Sequence, residues 1–287
     1  MIETIRRPAV AGYFYPANAT QLRDEIARLI PQTPNRFDAA GALVPHGSWT
    51  QCGSIVGSAL ARVRVPRHCI ILGPSHTGSA MRWSLMASGA YQTPLGEVPI
   101  DRRLGEALRS RCPFLQPDAW AQRGEHAIEV LLPWLQQLGP EDLRVVPVLI
   151  ASEDLEEADA FASALAEVIR QAEEPVLLLA SSDLSQHANR QDIEAIDRLL
   201  RRAICALDAR QFLHELQAHA LSVCGWVAIV CALRTLTRLG VTEGLVTGWG
   251  TSADHGGDPH AAIGYAGIVF PAAGTTLEQS IARTCER

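Results

Sequence analysis

The segment Cys69-Ile70-Ile71-Leu72-Gly73-Pro74-Ser75-His76 is an apolar run that ends in a glycine–proline turn and a histidine. A short apolar run bounded by turn residues is typical of a buried strand. Two other segments have the same form, since Gly41–Val44 leads to His46 and Val176–Ala180 leads to Ser181-Ser182-Asp183. Ligands bind beyond the carboxyl ends of strands in open α/β sheets, so these three strand ends predict one shared site.

The rest of the chain alternates short β-rich runs with longer helical patterns. Further strands are predicted at Ser84–Ala87, Arg144–Leu149, Gly244–Trp249 and Ile263–Phe270. Helices are predicted at Asn18–Leu29, Ser54–Val63, Arg103–Arg111, His126–Leu138, Asp154–Ala172, Asp192–Ala206 and Trp226–Leu239. The alternation predicts one α/β domain over residues 1–287, with a mixed, largely parallel sheet and helices on both of its faces.

The charged residues exclude several classes of function. The 287 residues include 25 basic and 31 acidic ones, for a net charge of −6, which argues against a nucleic-acid-binding surface. All the basic residues are arginine, so a Walker-type phosphate loop and a Schiff-base enzyme both lack the lysine that they need.

The sequence also predicts a cytoplasmic protein without membrane association. It has no apolar run of the roughly 18 residues that a membrane span needs, and no apolar signal core follows the first residues. Its 7 cysteines are scattered without a Cys-x-x-Cys pair, which is typical of reduced thiols.

Three side chains are candidate metal ligands. Imidazole is the commonest protein ligand for iron, copper and zinc, and prolines next to His46 and before His76 would stiffen both turns. A structural role explains each of these two histidines equally well, as a partly buried ring that is hydrogen-bonded to the backbone. Cys224 precedes the predicted helix at Trp226, whose N-terminus would lower the pKa of the thiol and favour thiolate. A structural role for this cysteine is the alternative.

A second group of candidates lies in the segment Gly124–Glu129. His126 and Glu129 are three residues apart, so in a helix they share a face and could act as acid/base groups or support the metal ligands. The preference of acidic residues for helix N-termini explains the glutamates equally well, although it does not explain the histidine.

Together these segments resemble the Memo-like family. The resemblance is carried, in chain order, by Arg7–Pro16, Pro45-His46-Gly47, Leu72–His76, Glu125-His126 with Glu129 and Leu132–Gln136, Ser181-Ser182-Asp183, Cys224-Gly225 and Gly264-Tyr265-Ala266. It implies a three-layer α/β/α sandwich similar to class III extradiol dioxygenases, which use non-haem Fe(II). It also implies His46, His76 and Cys224 as metal ligands, with Fe(II) preferred to copper and copper to zinc.

The resemblance further implies a set of partners. Eukaryotic members are described as adaptors that bind phosphorylated receptor peptides, and bacterial members are often encoded beside a radical-SAM protein. A small-molecule substrate or an anionic, phosphorylated peptide is therefore expected.

The sequence departs from the family at the position of the dioxygenase acid/base. A histidine usually stands three residues after the aspartate matched by Asp183, but here that residue is Gln186, and His187 follows it. Glutamine does not transfer protons at neutral pH, so ring cleavage is disfavoured. Asp183, His126 and His187 are the remaining acid/base candidates, and a one-residue bulge would be needed to turn His187 inward.

Three functions are compatible with these residues. The first is an iron- or copper-dependent oxidoreductase that acts with O2 on a small aromatic or otherwise unsaturated substrate. The second is a binding or scaffold protein for phosphorylated or other anionic ligands, to which arginine side chains are suited. The third is a zinc hydrolase that uses metal-bound water.

Overall fold

The computed structural model describes residues 4–32, 36–78, 81–188 and 190–275. Its helices are α1 (Ala19–Leu29), α2 (Trp49–Leu60), α3 (Arg102–Arg111), α4 (Leu132–Leu138), α5 (Leu155–Gln171), α6 (Arg190–Cys205), α7 (Ala209–Ala218) and α8 (Trp226–Arg238), with short 3-10 helices at Glu129–Leu131 and Ser252–His255. Its strands are β1 (Ile5–Arg6), β2 (Ala39–Val44), β3 (His68–Pro74), β4 (Trp83–Leu85), β5 (Ala90–Thr93), β6 (Gly96–Pro99), β7 (Gln116–Pro117), β8 (Arg144–Ile150), β9 (Val176–Ser181), β10 (Gln186–Ala188), β11 (Leu245–Thr251) and β12 (Ala262–Pro271).

The main sheet has the strand order β10-β12-β2-β9-β3-β8-β4-β7, and β11 pairs with β12. Its centre, β2-β9-β3-β8, is parallel throughout. The antiparallel pairs β12–β2 and β4–β8 flank this centre. The prediction of a mixed sheet is therefore confirmed, and its parallel part is the centre.

Helices cover both faces of this sheet. Successive residues of a strand point to opposite faces, so β3 contributes to two separate cores. Ile70 and Leu72 pack with residues of α3, α5, α6, α7 and α8. Cys69 and Ile71 pack with residues of α1, α2 and α4. Burying each large apolar side chain stabilises the fold by about 1.5–3 kcal/mol. Helices on both faces of the sheet give the predicted three-layer α/β/α arrangement.

Local capping explains where several helices begin. Asn18 and Asp154 accept hydrogen bonds from amides of the first turns of α1 and α5, as expected for N-caps at the predicted starts of these helices. The helix predicted to start at Ser54 begins earlier, at Trp49. Trp49 is buried in the core, and its indole Nε1 donates to the carbonyl of Val130 at 3.1 Å.

The predicted His126–Leu138 helix is wrong at its start. A 3-10 turn covers Glu129–Leu131, and α4 begins only at Leu132, with a proline in its first turn. Glu125 accepts hydrogen bonds from the amides of His126 and Ala127, which fixes these two residues as a turn before the helix.

A separate three-stranded sheet, in the order β1-β5-β6, holds the N-terminal segment. Ile5 and Arg6 of β1 pair in parallel with Ala90 and Tyr91 of β5. The sequence does not predict the β5–β6 hairpin, because strands of 4 residues are too short to show a clear periodic pattern.

No helix among the described residues combines the length and the apolar character that crossing a bilayer requires.

Candidate metal centre

Three neighbouring parallel strands end at one edge of the sheet and bring their polar turns together. β2, β9 and β3 are adjacent in the sheet and are followed by His46, Ser182 and His76. The ring centroid of His46 lies 5.0 Å from that of His76 and 5.5 Å from that of His126. The structure thus brings these three histidines into one cluster.

The hydroxyl of Ser181 fixes the imidazole of His46, which is 1% exposed. The hydroxyl Oγ of Ser181 lies 2.6 Å from the carbonyl oxygen of Ala127 and 2.9 Å from Nδ1 of His46. Because the hydroxyl donates to the carbonyl, its oxygen accepts from Nδ1–H, and the lone pair of the imidazole remains on Nε2.

The His46 ring is also neutral at pH 7. Burial, followed by the charge of His76, lowers the pKa of His46 to about 3. A neutral imidazole with a fixed, available Nε2 lone pair meets the requirement for a metal ligand.

Glu125 orients the second histidine. Nδ1 of His76 donates to Glu125 Oε1 at 2.9 Å, and the amide of His76 donates to Oε2 at 2.5 Å. Burial alone would raise the pKa of Glu125, but the hydrogen bond and charge of His76 outweigh burial and lower it to about 2. For His76, burial alone would lower the pKa. The hydrogen bond and charge of Glu125 outweigh burial, so the pKa of His76 is raised. Such a carboxylate fixes the ring of a metal-binding histidine, and a metal that binds Nε2 would displace the proton that the raised pKa favours.

His126 forms one wall of the cluster. Its ring stacks on that of His76, with centroids 4.7 Å apart and an angle of 18° between the planes. The edge of Phe14 packs against it at 4.9 Å. Burial lowers the pKa of His126 to about 4, so this ring is also neutral at pH 7.

Cys224 approaches the cluster from the start of α8. Its Sγ lies 3.2 Å from Nε2 of His46, close enough for the thiol to donate a hydrogen bond. The predicted lowering of its pKa is wrong: burial, followed by the charge of Asp183, raises the pKa of Cys224 to about 12. Burial of the sulfur outweighs the effect of the helix N-terminus, so binding of a metal to this sulfur would release a proton.

The residue after Cys224 must be small. A Cβ at Gly225 would lie 2.6 Å from the Cβ of Ser182 and 2.7 Å from the carbonyl oxygen of Ser181. The amide of Gly225 also donates to the hydroxyl of Ser182 at 3.0 Å. This close approach positions the thiol of Cys224 beside His46.

Asp183 ties the two strand-end turns together. Its Oδ1 accepts the amide of His46 at 3.0 Å, and the amide of Gly47 also donates to this carboxylate. Burial raises the pKa of Asp183 to about 6 in spite of these hydrogen bonds. A carboxyl group with this pKa exchanges its proton close to neutral pH.

The donor atoms form two overlapping groups that could each hold an ion. His46, His76 and His126 make one group, and His46, Asp183 and Cys224 make the other, with all donor atoms of a group within 4.8 Å of one another. Of the expected ligands, His76 and Cys224 thus lie in different groups, and His46 belongs to both. Three imidazoles, a thiol and a carboxylate suit iron, copper or zinc, so the residues present fit a bound transition metal.

The strand pairing around His187 is irregular, as expected if a bulge turns this residue inward. Gln186 pairs with Ile263 and Ala188 pairs with Ala262, and the register shifts between these two pairs. The amide of Gln186 donates to the carbonyl of Ser222 at 3.1 Å. The side chain of His187 lies outside the described part of the chain, so its acid/base role stays a prediction.

The helix prediction placed Glu129 on the same face as His126, but the structure does not. It is buried and forms an ion pair with the guanidinium of Arg6. Its carboxylate also accepts from the hydroxyl of Tyr15 at 2.6 Å and from the amide of Ala9 at 2.9 Å. Glu129 therefore fastens the N-terminal segment to the domain.

Replacing Glu125 by glutamine is expected to weaken metal binding without unfolding the protein. In Glu125→Gln the side chain has one acceptor oxygen instead of two, so it cannot accept from both Nδ1 and the backbone amide of His76 as the two carboxylate oxygens do. Loss of such a supporting carboxylate lowers metal affinity by about 10–100-fold. Anaerobic Fe(II) titration measures the change, and Glu106→Gln, at an exposed carboxylate paired with Arg109, is the control. Equal affinity of Glu125→Gln and the wild type would contradict this role.

Comparison with known proteins agrees with the motifs. The family model described as Memo-like protein matches residues 6–269. A MEMO1 family protein from Methanopyrus kandleri is 32% identical over 278 residues, which cover 92% of this chain and 98% of that protein. A MEMO1 family protein from Aquifex aeolicus is 30% identical over 267 residues, covering 93% and 99%. A crystal structure of an uncharacterized protein from Escherichia coli K12 is 13% identical with a TM-score of 0.48, covering 80% of this chain and 98% of that one.

Proposed function

The chain belongs to the Memo-like family, and on that premise we propose that it is an oxidoreductase that binds one redox-active metal ion at the His46 cluster, which comprises His46, His76, His126, Asp183 and Cys224. The proposed ion is Fe(II), and copper is the alternative. The observation that carries the proposal is the state of His46, which has a neutral ring, a hydrogen bond on Nδ1 and Nε2 directed toward the sulfur of Cys224.

His46, His76 and Cys224 would hold the ion, with Glu125 orienting His76. A thiolate ligand in place of the carboxylate of ring-cleaving dioxygenases favours softer or redox-active ions. Such an ion supplies one-electron chemistry and reaction with O2. A small aromatic or otherwise unsaturated molecule is the proposed substrate class.

The residues around the ion would position the substrate and move protons. Asp183 can hold or deliver a proton at its carboxylate, because its pKa of about 6 lies near neutral pH. His126 and Phe14 form an aromatic wall against which a flat substrate can pack. Gln186 replaces the usual histidine, so we expect ring cleavage to be slow or absent and another oxidation to be favoured.

Elemental analysis tests this proposal. The wild type and Cys224→Ser are reconstituted anaerobically with Fe(II), desalted and assayed for bound iron. Cys231→Ala, within α8, is the control. We expect about one equivalent of iron in the wild type and the control, and a clear loss in Cys224→Ser. Absence of bound iron or copper in the wild type would overturn the oxidoreductase proposal and favour a metal-free binding protein.

Oxygen uptake then tests turnover. The iron-loaded wild type is incubated with a panel of catechols and other small unsaturated molecules while dissolved O2 is recorded. Substrate-dependent uptake that is lost in Cys224→Ser supports the oxidoreductase proposal. Bound iron without uptake on any member of the panel would count against O2-dependent oxidation of this substrate class.

A further inference from the structure

A groove separate from the His46 cluster runs between β1 and the turn that follows β7. It is lined by Thr4, Ile5, Arg6, Arg7, Pro8, Ala119, Trp120 and Arg123 and has a volume of about 540 Å³. This volume lies within the range of about 300–1,000 Å³ that is usual for small-molecule sites. None of the donor residues of the His46 cluster is among these lining residues.

The groove has an apolar surface that the fold leaves open. Trp120 is 67% exposed and Ile5 is 48% exposed, although both side chains are large and apolar. Clustered exposure of such side chains marks binding surfaces more often than scattered exposure does. An exposed indole offers a flat face on which an unsaturated ring can stack.

The groove also carries two guanidinium groups that are free to bind an anion. In the described part of the chain, no ion pair joins Arg7 or Arg123 to a carboxylate. Exposed arginines elsewhere, such as Arg28 and Arg103, do pair with carboxylates. Arg123 also lies over the ring of Trp120, with its Cζ 5.2 Å from the ring centroid.

The acidic groups near the groove that the structure describes are engaged in contacts elsewhere. None of the described residues that line the groove carries a carboxylate. Glu129, which lies behind the groove, is buried and paired with Arg6. Asp118, which precedes the turn, accepts hydrogen bonds from the amides of Met81 and Ala121.

Both walls of the groove are held in place by the rest of the fold. β1 is paired with β5, and the side chain of Arg6 donates to the carbonyls of Gln122 and Glu125. The opposite wall is a turn closed by the bond from the Arg123 amide to the carbonyl of Trp120 at 3.0 Å. Binding therefore requires little ordering of the backbone.

From these observations we propose that the groove between β1 and the 119–123 turn binds a small organic anion with a flat unsaturated ring. The ring stacks on Trp120 beside Ile5, and the carboxylate or phosphate group lies between the guanidiniums of Arg7 and Arg123. Guanidinium forks match the oxygens of both kinds of anion. The site is distinct from the His46 cluster and does not depend on a bound metal.

Calorimetric titration with four probes tests the proposal. AMP and benzoate combine a flat ring with an oxyanion, while adenosine and inorganic phosphate each supply one of the two parts. We expect AMP to bind at least about tenfold more tightly than adenosine or phosphate, with quenching of tryptophan fluorescence that is lost in Trp120→Leu.

Removing the charges of Arg7 and Arg123 tests whether these two side chains bind the anion. The Arg7→Ala/Arg123→Ala double variant is expected to raise the Kd of the bound anion at least about tenfold. Arg23→Ala, at an exposed arginine of α1, should leave the Kd unchanged. Circular dichroism confirms that each variant is folded. Absence of binding of both AMP and benzoate at millimolar concentration, or an unchanged Kd in the double variant, would overturn the proposal.

Discussion

His46→Ala is expected to lower the affinity of the protein for Fe(II) by more than the 10–100-fold cost of losing a supporting carboxylate. The reason is that His46 contributes to both groups of donor atoms, whereas His76, His126, Asp183 and Cys224 each contribute to one. Removing its imidazole also leaves the hydroxyl of Ser181 without a donor from Nδ1.

Anaerobic titration with Fe(II), followed by equilibrium dialysis and elemental analysis, measures this affinity. His68→Ala is the control, because His68 is a partly buried histidine that is hydrogen-bonded to the carboxylate of Asp101 and lies outside the cluster. The control should bind iron as the wild type does. If His46→Ala retains one tightly bound equivalent, the cluster is not organised around this histidine.

Glu129→Ala is expected to lower the free energy of unfolding by about 3–5 kcal/mol. The substitution leaves the buried guanidinium of Arg6 without its carboxylate, and it removes the acceptor of the Tyr15 hydroxyl and of the Ala9 and Val10 amides. An unpaired buried charge is costly because the protein interior solvates it poorly.

Urea denaturation followed by circular dichroism measures this loss. Glu25→Ala removes a partly exposed carboxylate paired with the exposed side chain of Arg28 and should cost less than about 1 kcal/mol. The double variant Arg6→Met/Glu129→Leu removes both buried charges and should be less destabilised than Glu129→Ala. A loss of less than about 1 kcal/mol in Glu129→Ala would show that the buried pair does not hold the N-terminal segment.

The sequence predicts the centre of the fold because that part depends on local patterns. The apolar runs before His46, His76 and Ser181 are long enough to be recognised as strands, and each ends in a turn. Parallel strands place their carboxyl ends at one edge, so the meeting of these turns follows from the fold class. The helix after Cys224 is likewise predicted at its observed start, Trp226.

The roles of individual carboxylates depend on distant contacts that the sequence does not reveal. Glu129 pairs with Arg6 across 123 positions in the chain, whereas its spacing from His126 indicated a shared helix face. Glu125 binds His76, 49 positions away. Its position directly before His126 was the available signal, but the preference of acidic residues for helix N-termini explained it equally well.

Ionisation states depend on burial, which is a property of the folded molecule. The position of Cys224 before α8 predicted a lowered pKa, but burial of the sulfur raises it. The tautomer of His46 similarly follows from the bond between Ser181 and the carbonyl of Ala127, two residues brought together by the sheet and the 125–128 turn.

X-ray absorption at the iron edge, recorded on the Fe(II)-loaded wild type and on Cys224→Ser, tests the proposed metal centre most directly. We predict nitrogen ligands from histidine together with one sulfur at about 2.3 Å in the wild type, and loss of that sulfur in the variant. A spectrum of the wild type with nitrogen and oxygen ligands alone, or a sulfur signal that persists in Cys224→Ser, would contradict a centre built from His46 and Cys224.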